Sequence, residues 1–167
     1  MTDNKVSFVH LDCEPRSPYH YTECGLSNIW LVSGYEEEEY DGECYVSVRD
    51  ADALHQQISM SLIRQKTDLR GEQVRFLRKE MNLTQSELAA LVNVSAQTVA
   101  RWEKNQTDVP GPVNVLLRLI ALNHFDGKVN VMQVAKELQK LDETLDDRMT
   151  LRFDQHDGWR NDAALAA

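Results

Sequence analysis

The amino-acid sequence predicts an α+β protein: a small β-rich N-terminal unit with a linking helix over residues 1–67, an all-α bundle over 68–125, and a helical extension with a tail over 126–167. Three observations carry that expectation. The first 50 residues alternate turn formers with short β-prone runs, apolar residues recur at helical spacing from Asp50 onward, and helix start and stop residues punctuate the stretch from 70 to 112.

The strands are expected at VSFVHL (6–11), NIWLVSG (28–34) and CYVSV (44–48), with Phe8, Trp30, Leu31, Tyr45 and Val46 holding the sheet. Glu36 to Glu39 followed by Asp41-Gly42 reads as an exposed hairpin connection, a solvated charge run rather than a catalytic cluster. A linking helix follows to about Lys66, capped by Asp50 or Asp52, with Leu54, Ile58 and Leu62 on one face.

In RGEQVRFLRKEM (70–81), Val74, Leu77 and Met81 form one stripe and basic residues the other, which predicts the first helix of a bundle. Thr84 to Glu87 is a T-x-x-E capping box and Ser95 is a second N-cap, so two short helices are expected over roughly 84–92 and 95–104. Leu88, Ala89 and Val92 would face Val99 and Trp102, with Ala89 small where the helices cross. This is the spacing of a helix-turn-helix. Asn82, Asn93 and Asn105 each stand just past a predicted helix, where the backbone turns left-handed and asparagine is the least costly residue after glycine.

After Pro110-Gly111-Pro112, a proline at the first helical position opens VNVLLRLIALN, whose near-absence of a polar face predicts burial on more than one side, either under the bundle or against a second copy. Asn130 is expected to cap VMQVAKELQKLDETL, where Val131, Val134, Leu138, Leu141 and Leu145 form a seam suited to helix pairing or to packing on its own domain. Met149, Leu151 and Phe153 alternate as in a short strand, and HDGWRNDAALAA reads as a loose end.

The formal charge is −9, but it is unevenly spread. Residues 1–67 carry 12 acids and 5 bases, 126–167 carry 9 and 6, and 68–125 carry 6 and 7, the bases there being Arg70, Arg75, Arg78, Lys79, Arg101, Lys104 and Arg118. A local basic face can therefore hold a polyanion, because screening limits the acidic ends to a reach of roughly 8 Å at physiological salt. No run of about 18 apolar residues occurs, and MTDNKVSFVHLD lacks the basic and apolar regions of an export signal. A cytoplasmic location with reduced thiols is expected, the three cysteines being too few and odd in number for a disulfide framework.

The second helix of a helix-turn-helix lies in the major groove of DNA, so Ala96, Gln97, Thr98 and Arg101 are the candidates for base contact: Gln97 suits adenine N6 and N7, and Arg101 suits guanine O6 and N7. Gln85 and Ser95 at helix starts, with Lys104 and Asn105, are the candidates for phosphate. No catalytic motif is present, and an enzyme is not expected.

TQSELAALVNVSAQTVARWEKN resembles the Xre/Cro-like helix-turn-helix regulators, whose pattern runs T-Q-x-x-L-A, G-V-S, then T-V-x-x-W-E-x-G; the likeness covers residues 70–122, with asparagine at 82, 93 and 105 where glycine is usual. It implies base reading by Gln97, Thr98 and Arg101 and phosphate contact by Gln85 and Ser95. More widely, a β-rich unit, a linking helix and a domain ending in PGPVNVLLRLI resemble the MqsA or YgiT-type antitoxins, which carry two zinc-binding CxxC pairs. This chain has none, offering only Cys13, Cys24, Cys44 and His20 as zinc candidates. A tetrahedral zinc site needs four ligands, so the expectation is no cofactor, with the cysteines as small buried hydrophobes. The reading is then a homodimeric, sequence-specific DNA-binding regulator, a repressor on an inverted repeat; the alternative is an antitoxin that neutralises a toxin protein and binds DNA for autoregulation.

Overall fold

The computed structural model describes residues 10–11, 18–41, 43–126 and 149–161. The chain divides into two compact units, one formed by residues 1–57 with 146–167 and the other by 58–145. The predicted helix at 131–145 and residues 6–9 of the first predicted strand, Phe8 among them, lie outside the described residues.

The first unit contains β1 (His10–Leu11), β2 (Tyr19–His20), β3 (Ile29–Leu31), β4 (Tyr35–Tyr40), β5 (Glu43–Val48), β6 (Met149–Asp154) and β7 (Gly158–Asn161). They form two sheets, ordered β1-β5-β4 and β2-β3-β6-β7. The pair β3 and β6 is parallel, with Ile29 opposite Met149 and Leu31 opposite Leu151. Tyr21, Leu26, Ile29, Leu31, Val46, Leu151 and Trp159 make its core. Leu31 and Val46 were expected there; Tyr21, Leu26 and Trp159 were not.

Two expectations are corrected in this unit. The glutamates 36–39 are not a connection but the body of β4, paired residue for residue with β5. As β4 is an edge of its sheet, all four can stay in water while the backbone completes a ladder. The loose end is also shorter than expected, because Gly158–Asn161 is a strand and Trp159 is only 6% exposed. Trp159 Nε1 donates to the Arg49 carbonyl at 3.1 Å, and Ser33 Oγ donates to the Phe153 carbonyl at 3.1 Å while accepting from its N–H at 3.0 Å. Gly34 sits at φ +85 against this hairpin, and a Cβ there would lie 2.4 Å from Phe153 Cβ.

Helix α1 (Ala51–Arg64) begins where Asp50 Oδ1 accepts the Ala53 N–H at 3.2 Å, and Leu54, Ile58 and Leu62 are fully buried as the periodicity requires. The second unit continues with α2 (Gly71–Glu80), α3 (Gln85–Leu91), α4 (Ala96–Glu103) and α5 (Gly111–Asp126). Val74, Leu77, Met81, Leu88, Ala89, Val92, Val99 and Trp102 are all buried.

The three asparagines set the ends of α2, α3 and α4. Asn82, Asn93 and Asn105 have φ of 56°, 56° and 53°. Behind each, the next N–H reaches back five residues: Leu83 to Arg78, Val94 to Ala89 and Gln106 to Arg101. These are Schellman closures, which satisfy carbonyls that a helix end leaves bare.

Helix α5 departs from expectation in its polarity. It starts at Gly111, so Pro112 is its second residue, and it is not apolar throughout its buried side. Asn114 and Arg118 are both 2% exposed, whereas Val115 and Leu116 are 37% and 39% exposed. Arg118 donates to Asn114 Oδ1 and to the carbonyls of Ile63, Gln65 and Thr67, and Asn114 donates to Asp68. Its guanidinium thus occupies the carbonyl-rich end of α1. Burial pushes its pKa down to about 10, against the opposing pull of Asp68.

Candidate nucleic-acid interface

Helix α4 begins at Ser95, whose Oγ accepts the Thr98 N–H at 3.1 Å, and α3 begins at Thr84, whose Oγ1 accepts the Glu87 N–H at 3.2 Å while Glu87 accepts the Thr84 N–H at 2.7 Å. The caps fix where the helices start, and the apolar residues fix which face of α4 turns outward. Val99 and Trp102 point into the core; Gln97 and Arg101, one turn apart and so on one face, are exposed. Among the described residues, neither side chain makes a hydrogen bond or ion pair. Ala96 and Thr98 are half-buried, and Thr98 Oγ1 lies 2.8 Å from Ser95 Oγ.

A cluster of charge holds this helix in place. Arg78 of α2 meets Glu103 at the end of α4 through Nε at 2.5 Å and Nη2 at 3.1 Å, and also donates to the Leu83 carbonyl. Gln85, the first residue of α3, donates Nε2 to Glu103 Oε2 at 2.8 Å. One carboxylate therefore ties three helices together. Burial alone would raise the Glu103 pKa, but hydrogen bonds from Arg78 and Gln85 and the charges of Arg78 and Arg75 outweigh it and leave the pKa lowered.

The structure sorts the remaining sequence candidates by what their side chains already do. Lys104 is exposed. Ser95 is engaged as a cap, Gln85 with Glu103, and Asn105 with the start of α2, its Oδ1 accepting the Gly71 N–H at 2.8 Å and its Nδ2 donating to Glu72 at 3.0 Å. The expected basic face is smaller than counted: Arg78 is spent on Glu103 and Arg118 is buried, leaving Arg70, Arg75, Lys79, Arg101 and Lys104 exposed. Sequence reasoning did not find the role of Glu103. A carboxylate directly after the core residue Trp102 was the available signal.

Of the zinc candidates, Cys13 and the Cys44 side chain lie outside the described residues. Cys24 is half-buried with Sγ 3.9 Å from the Tyr21 carbonyl, and His20 is exposed, stacked on Trp30 at 4.3 Å with Nε2 2.7 Å from the Ser27 carbonyl. Among the described residues, no three His, Cys, Asp or Glu side chains form a metal-holding group, and no helix is long and apolar enough to cross a membrane.

No curated protein and no solved structure matches the chain. A family model does: the one described as helix-turn-helix matches residues 74–115, about a quarter of the sequence, from the middle of α2 to the first turn of α5. That family is one of DNA-binding regulators and not of enzymes. With α3 and α4 capped and ended at left-handed asparagines, residues 74–115 are a helix-turn-helix domain of the Xre/Cro-like kind.

Proposed function

We propose that the protein is a sequence-specific regulator of transcription that binds an inverted-repeat operator as a homodimer and represses the gene it sits on. One observation supports this reading above the rest: Gln97 and Arg101 are exposed on the outer face of α4 and bonded to none of the described residues, whereas the other face of the same helix is core. A glutamine and an arginine one turn apart suit an adenine and a guanine in the major groove. Ala96 and Thr98, half-buried beside them, contribute methyl and hydroxyl contacts at most, Ser95 and Gln85 present backbone amides to phosphate, and Lys104 supplies a cation. A single recognition helix reads too few base pairs for useful specificity, which is why two copies on a two-fold operator are required.

Selection of duplexes from a random pool at stated salt tests the reading directly. An enriched inverted repeat is expected, and Arg101→Ala should weaken binding to it by about 1–3 kcal/mol and relax preference at one base pair. Equal loss on every duplex would make Arg101 a phosphate contact, and no enriched sequence would end the proposal. A second role, neutralising a basic toxin protein, is favoured by the four exposed glutamates along the edge strand β4. Rescue of growth on co-expression with a toxin encoded beside it, lost when those glutamates become glutamines, is the corresponding test.

A further inference from the structure

Asn105 carries two loads that the backbone alone does not require. Its φ of 53° ends α4, and a glycine would adopt that angle at no steric cost. What asparagine adds is a link across 34 positions of sequence, from its Oδ1 to the Gly71 N–H and from its Nδ2 to the Glu72 carboxylate. The two helix ends are in close contact there. A Cβ at Gly71 would stand 2.1 Å from the Trp102 carbonyl and 2.7 Å from Asn105 Oδ1, so the first residue of α2 lies directly on the last turn of α4.

The environment also argues against a phosphate at this side chain. Both polar atoms of the amide are in use, and the Nδ2 that a phosphate would need already faces a carboxylate, whose charge repels another anion. We infer that Asn105 is a positioning residue: its side chain locks the end of the recognition helix to the first turn of α2 and so sets the angle at which Gln97 and Arg101 meet a duplex. The inference rests on the DNA-binding reading of α4.

The test uses the full chain as wild type, Asn105→Gly, Glu72→Ala and the double variant. Each is titrated with the duplex that the wild type selects and with a random duplex over a range of salt, and Gly71 amide hydrogen exchange is followed in parallel. Asn105→Gly should speed exchange at Gly71 and lower the preference for the selected duplex by about tenfold, with the salt dependence unchanged. Glu72→Ala should produce part of the same loss, and the double variant should be no worse than Asn105→Gly. Glu72→Ala cuts the link from the other side, so a poorly folding Asn105→Gly does not remove the test. Equal weakening on both duplexes, additive with Glu72→Ala, would assign Asn105 to phosphate and overturn the inference. Full preference retained in Asn105→Gly by a wild type that does select a sequence would overturn it alone; a wild type that selects nothing would overturn the DNA-binding reading as well.

Discussion

The two units are closed by opposite means. In the helical unit each of α2, α3 and α4 is ended by a left-handed asparagine and a hydrogen bond reaching back five residues, and α3 and α4 are started by a cap three residues long. In the β unit the four-stranded sheet is completed by β6 and β7, whose contacts such as Ser33 with Phe153 span 120 residues. The helical unit can thus define its elements before they pack, whereas the β unit must bear the loop-closure entropy of everything between its parts before its ladder gains anything. The helical unit's weak point lies between helices, where one buried carboxylate, Glu103, joins α2, α3 and α4 and Asn105 adds a second tie from α4 to α2.

That weakness gives the largest expected effect. Arg78→Ala would leave the Glu103 carboxylate, 4% exposed at its side chain, without its cation, and breaking such a buried pair costs about 3–5 kcal/mol. Denaturant unfolding should show the loss, with hydrogen exchange raised across α2 to α4 and unchanged in β3 to β7. A loss below about 1 kcal/mol would place the pair among exposed salt bridges and remove the contrast drawn between the units.

Gly34→Ala strikes the β unit in its turn. The new methyl would meet Phe153 Cβ at 2.4 Å and the Trp159 ring at 2.7 Å from a backbone at φ +85, so about 1–3 kcal/mol is expected from overpacking and strain. The C-terminal hairpin should then exchange its amides faster while α2 to α4 keep theirs. Protection retained in β6 and β7 would mean that the hairpin does not depend on Gly34.

Acid tests the same pair in the helical unit. Glu103 has a folded pKa below its ordinary value of 4.5, so its contribution is fully present above that value and is lost as pH falls through the folded pKa. In Arg78→Ala the hydrogen bond and charge of Arg78 are gone while the burial, Gln85 and Arg75 remain, so the folded pKa lies above that of wild type and protonation relieves the variant earlier. The stability gap between wild type and Arg78→Ala should therefore narrow as pH falls from 7 toward 4. A constant gap would show that the two groups do not share a charge interaction.

This contrast also explains what the sequence made legible. The ends of α2 to α4, the capping box at Thr84 and the outward pair Gln97 and Arg101 follow from signals within a few neighbouring residues, and the structure has them where periodicity and turn chemistry put them. The ties that cross the bundle leave no such mark: nothing local in Asn105 announces Gly71, and nothing in Arg78 announces Glu103. Arg118 was not legible either. It was counted among the cations of the basic face, whereas the structure buries it, four residues after Asn114, with which it pairs along the helix. In the β unit, four consecutive glutamates hid the strand that carries them, and Trp159 looked like tail because, beyond its neighbour Phe153, the Arg49 carbonyl and Gly34 that it lies against are more than 100 residues earlier.

The smallest effect tests the local closures alone. Asn93 has φ +56 and an exposed side chain, and its N–H and that of Val94 reach back to Ala90 and Ala89. Asn93→Ala keeps those backbone groups but replaces the short amide side chain that tolerates the left-handed region with a methyl that does not, at a cost of about 1 kcal/mol. Asn93→Gly removes that cost, and its greater freedom in the unfolded chain offsets much of the gain, so a change of only a few tenths of a kcal/mol is expected. The order glycine at or above asparagine and alanine below both, read from thermal unfolding of the helical unit, is what a purely conformational role requires. Equal destabilisation by alanine and glycine would instead assign Asn93 a side-chain contact, and the asparagines would then act by packing and not by permitting the left-handed turn.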